Sequence, residues 1–84
     1  MGSQDQTVRL LLSNLSDDDF CTVSFEPLGG QVAVGKGEAL TVEISGPGNG
    51  IVEVSHVSNG LIIGEWEGAT TRVMNHLGEV VEQG

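Results

Sequence analysis

The chain has 84 residues, with 12 acids against 3 bases and a net charge of −9, which gives room for one core and excludes two. That field repels phosphate backbones and anionic bilayers, so neither nucleic acid nor membrane is an expected partner; a basic protein, a cation or plain solubility suits it. The single cysteine, Cys21, excludes an internal disulfide and a multi-cysteine zinc site and fits a reducing cytoplasm.

Residues 1–6 read as a disordered N-terminus, in part an expression scar, and residues 7–82 as a single domain. No basic-then-apolar leader pattern opens the chain, and no apolar stretch approaches a membrane span. Thirteen glycines fall between short β-branched runs, a spacing that predicts strands joined by tight turns. No window sustains the 3.6-residue apolar period of a helix.

The first predicted strand is residues 7–13 (TVRLLLS), with Val8, Leu10 and Leu12 on one face and Leu11 on the other. An exposed Leu11 marks it as a candidate edge strand, open to pairing with a partner or a second copy. After the polar "SNLSDDD", residues 20–26 place Cys21, Val23 and Phe25 on one face and Thr22, Ser24 and Glu26 on the other. "FEPLGG" then predicts a type I turn with Glu26 first, Pro27 second and Gly29 fourth.

"QVAV" and the turn "GKG" lead to residues 38–45, where Leu40, Val42 and Ile44 alternate with polar partners. The loop "GPGNG" precedes a strand at 51–57. Asn59-Gly60 predicts a two-residue type I′ hairpin, since both central positions of that turn need positive φ. Strands at 61–67, 70–75 and 79–81 complete the chain. The expected fold is all-β, a small antiparallel β-sandwich or partly open barrel of seven or eight short strands.

No arrangement carries chemistry by pattern. "GPGNG" is followed by a strand, not by the helix and lysine that a phosphate loop needs. Cys21, His56, His76 and Met74 are the residue types of a blue-copper site, but Cys21 lies far upstream of the late loop that such a site uses. Asp17, Asp18 and Asp19 are adjacent and lack EF-hand spacing, so they read as a solvated loop able at most to bind calcium weakly. Glu65 and Glu67 flank Trp66 as two solvated acids around a core indole; an exposed Trp66 on a ligand surface is the alternative. His56 shares a face with Val52 and Val54, and G-x-S-x-G is absent. No catalytic residue, cofactor or metal is expected.

"FEPLGG", "VGKGEALTVEI", "LIIGEW" and "TTRVMNHLGEVV" together resemble a group of short, uncharacterised bacterial proteins that share an F-x-E-P-x-G turn, a Trp-bearing strand and a closing hairpin. The resemblance covers most of residues 20–81. It implies a small β-sandwich and no assigned activity. Leu28 stands where that group often has an aromatic residue, and Val34-Gly35 where it has a proline before the glycine.

The expectation is therefore a non-catalytic, acidic, cytoplasmic β-domain that works by contact with a protein partner or with itself. The alternative is a β-sandwich that binds a small ligand or a divalent metal. Candidate interaction residues are Trp66, His56, Asp17, Asp18, Asp19 and Glu26.

Overall fold

The computed structural model describes residues 5–83. Eight strands follow one another: β1 (Asp5–Ser13), β2 (Phe20–Glu26), β3 (Gln31–Gly35), β4 (Ala39–Pro47), β5 (Glu53–Val57), β6 (Gly60–Gly64), β7 (Thr70–Met74) and β8 (Val80–Gln83). They form two four-stranded sheets, ordered β1-β4-β7-β8 and β3-β2-β6-β5. The fold is an all-β sandwich. Among the described residues no helix is long and apolar enough to cross a membrane.

Alternation in the sequence becomes the core directly. In the first sheet Leu10, Val42 and Val73 stand in one inward row, and Val8, Ile44 and Thr71 in the next. In the second, Val32, Val23 and Leu61 share a row, with Phe25 beside Ile63. Val23, Phe25, Val42, Ile44, Ile63 and Val73 are the largest fully buried side chains. Their burial supplies most of the driving force for folding.

Four details depart from the expectations. Asp5 and Gln6 already belong to β1, paired with Pro47 and Gly46; the rest of the expected N-terminal tail, residues 1–4, lies outside the described residues. The Glu26–Pro27 peptide is cis and Gly29 has φ 87°, and the Gly29 N–H does not close the expected four-residue turn onto the Glu26 carbonyl. Instead the Gly29 N–H reaches the Phe25 carbonyl at 2.6 Å, and the Phe25 N–H reaches Gly30 at 2.9 Å. The 53–64 hairpin pairs Val57 with Gly60, which makes Ser58 and Asn59 its central residues. Of these only Asn59 has positive φ, 62°.

The fourth departure gives Gly60 a role other than the turn. All neighbouring strands are antiparallel except β2 and β6, which run parallel with Thr22 opposite Gly60. The chain leaves β3 for β4 in the other sheet and returns through the β5–β6 hairpin, which brings β6 back alongside β2. A Cβ at Gly60 would stand 2.1 Å from the Thr22 carbonyl oxygen. Glycine is required there by the approach of two strands, a demand that "NG" read as a turn signal does not reveal.

Candidate functional site

The two flanks of the sandwich are closed differently. At one, β8 lies over β3: Glu82 pairs with Val73, faces inward, and its carboxylate comes 2.5 Å from where a Gly30 Cβ would be. Leu28 and Val32 pack against the core beside it. At the other flank β1 lies over β5. The Gly50 N–H, just ahead of β5, donates to Gln6 Oε1 of β1 at 2.9 Å.

The β1/β5 flank is open. Val54 pairs with Ile63, and His56 with Leu61, so both point to the inner face of their sheet. Ile63 is 1% exposed, yet Val54 is 50% exposed and His56 is exposed as well. Across from them Val8, Leu10 and Leu12 of β1 are only half-buried. The cause is geometric: among the described residues the first sheet has no strand beyond β1 to cover β5. Both β1 and β5 therefore present unpaired backbone groups along this flank. β1 is the longer edge, nine residues in unbroken register with β4 and without proline.

At the end of the flank where β2 begins lies a hollow of about 300 Å³, with Asn14, Asp18, Cys21, His56, Asn59 and Leu61 in its wall. Asn14 is buried and its amide is fully used. Its Nδ2 donates to the Asp18 and Val34 carbonyls at 3.2 and 3.0 Å, and its Oδ1 accepts from the Ser16 N–H and hydroxyl at 3.1 and 2.6 Å. Asn14 thus fixes the loop that presents Asp17, Asp18 and Asp19. In the sequence only one local mark discloses Asn14: Asn two residues before Ser is a recognisable side-chain turn signal.

The remaining candidates are scattered. Asp17, Asp18 and Asp19 are exposed, and among the described residues no group of three or more His, Cys, Asp or Glu converges to hold a metal ion. Trp66 and Glu26 sit at the opposite end, where β2 and β6 finish. Trp66 is half-buried, packs against the core, and donates Nε1–H to the Pro47 carbonyl at 2.9 Å. Its ring lies over Gly50, where a Cβ would stand 1.9 Å from it. Glycine there lets the indole clamp the β4–β5 connection. Glu65 and Trp66 follow the end of β6 instead of continuing it. Glu65 is half-buried and accepts the Thr71 hydroxyl, so it is not the solvated acid expected from the strand pattern. Glu26 is exposed; its carbonyl accepts the Glu65 N–H at 3.1 Å.

The outer face of the first sheet holds an ion triad that no local pattern in the sequence announces. Glu43 sits between Arg9 and Arg72 in one cross-strand row, with N–O distances of 2.7 and 2.8 Å. The hydrogen bond from Arg9, with Arg72 adding its charge, holds the Glu43 carboxyl below its ordinary value. A carboxyl depressed on folding stabilises above its unfolded pKa, and that contribution fades as pH falls through the folded one. Glu43→Gln is therefore expected to melt lower than wild type at pH 7, with the gap narrowing below about pH 4. A gap independent of pH in thermal melts would contradict the triad's role.

Comparison with known proteins adds no relative to this geometry: no family model, no curated protein and no solved structure matches the chain.

Proposed function

We propose that this chain is a non-catalytic protein-contact module that receives an extended segment of a partner along its open flank, as an added strand beside β1. One observation carries the reading: Val54 faces the core of its sheet and is half exposed. A strand added beside β1 would cover it, pair the free edge and bury apolar area at both sheets. The cytoplasm is the proposed compartment, from cysteine usage, and kinship with the short bacterial β-sandwich proteins belongs to the same proposal.

Selection from a random-peptide display library tests it. Peptides selected on the wild-type chain are expected to lose at least about tenfold in affinity on Val54→Lys, which places an ammonium under the docked strand. The variant's melting temperature should move little, because Val54 is already half solvated. Peptides indifferent to Val54→Lys would place the contact elsewhere.

A second reading has one observation in its favour. The hollow that Asp18, Cys21 and His56 share is of a size that suits a small ligand. It requires that some small molecule raise the melting temperature by binding linkage. A screen of divalent metals, sugars and nucleotides without any such shift removes it.

A further inference from the structure

We infer that the segment taken by the open flank is apolar at alternate central positions and basic at both ends. The inference rests on the strand-docking reading and adds the partner's chemistry. A strand beside β1 directs every second side chain onto Val54 and His56, and that inner surface is completed by the half-buried Val8, Leu10 and Leu12. About five residues span β5, so two or three inward apolar side chains fill the gap.

Charge sets the ends. Asp5 opens β1 and is exposed on the outer side of the first sheet, in phase with Arg9, at the end of the flank fixed by the Gln6–Gly50 hydrogen bond. Exposed Asp17, Asp18 and Asp19 follow β1 at the other end, where Asp18 lines the hollow with His56. Between them the outward position at the middle of β1 is Arg9, already paired with Glu43. A docked strand thus meets carboxylates at both ends and a guanidinium at its centre. Lysine or arginine is favoured at the ends and disfavoured midway.

The same charges argue against a second copy as the occupant. An antiparallel β1 of another chain brings its Asp5 end toward residues 17–19, and a parallel one sets Asp5 beside Asp5. Both add acid to acid between molecules of net charge −9.

The test uses three fluorescein-labelled peptides, KKVTVTVKK, SSVTVTVSS and EEVTVTVEE, in anisotropy titrations of the intact chain, with light scattering on the same samples. The lysine-flanked peptide is expected to bind tightest and to weaken about tenfold between about 50 and about 300 mM NaCl. Asp5→Asn combined with Asp18→Asn should weaken it and flatten its salt dependence; both residues are exposed and neither side chain has a hydrogen bond among the described residues. Equal binding of the serine-flanked peptide overturns the charge inference and leaves strand docking standing. Binding of none of the three, with the chain monomeric, overturns strand docking itself. A dimer in which Val54→Lys restores the monomer overturns the inference in favour of self-pairing.

Discussion

Gly60→Ala is expected to lower the unfolding free energy by about 3 kcal/mol, measured as a fall in the urea midpoint. The Cβ it adds would lie 2.1 Å from the Thr22 carbonyl oxygen, which is backbone and has no rotamer to escape through. Relief requires β2 and β6 to separate, and with them the pairs from Thr22↔Gly60 to Glu26↔Gly64 that join the two halves of that sheet. If Gly60 served only a turn, the cost of a side chain would be about 1 kcal/mol. The size of the loss therefore distinguishes strand contact from turn geometry. A change under about 0.5 kcal/mol would contradict the parallel pairing.

Phe25→Ala is expected to cost about 3–5 kcal/mol, the range for deleting a buried aromatic ring. Phe25 is 1% exposed and packs in the same core as Val23 and Ile63. An 84-residue domain has roughly 4–13 kcal/mol in total, so the variant should lose about a quarter of that stability or more. Phe20 is the control: it is 61% exposed at the start of the same strand, and Phe20→Ala should stay within about 0.5 kcal/mol. Comparable losses from both variants, in denaturant melts, would contradict the burial pattern.

What the sequence revealed and what it hid divide along a physical line. Alternation is local, so the inward rows Leu40, Val42, Ile44 and Cys21, Val23, Phe25 were legible, as was Leu11 facing away from Leu10 and Leu12 on an edge strand. Pairing between distant strands is not local. Nothing near residue 60 announces that Thr22 lies beside it, nor does anything near residue 43 announce Arg9 and Arg72. Trp66 shows the same limit, because its position depends on Pro47 and Gly50, both supplied by another connection.

The candidate site was the least legible part. Alternation puts His56 and Val54 on one face, but that phase reads as burial, and only the strand order leaves the inner face of β5 uncovered. Asp17, Asp18 and Asp19 read as a solvated loop, and they are one; their place at the end of the flank follows from Asn14 fixing the loop. Glu26 and Trp66 belong to the opposite end, so no one surface gathers all six candidates.

Amide hydrogen exchange on the chain, with and without a display-selected peptide bound, tests strand docking most directly. In the free chain the alternate amides of Asp5–Ser13 that do not pair with β4 should exchange quickly, since β1 is an edge. These amides are expected to slow together on binding, with β3 and β8 unchanged. Protection confined to another edge or to the loop around Trp66, with β1 still exchanging freely, would contradict strand docking.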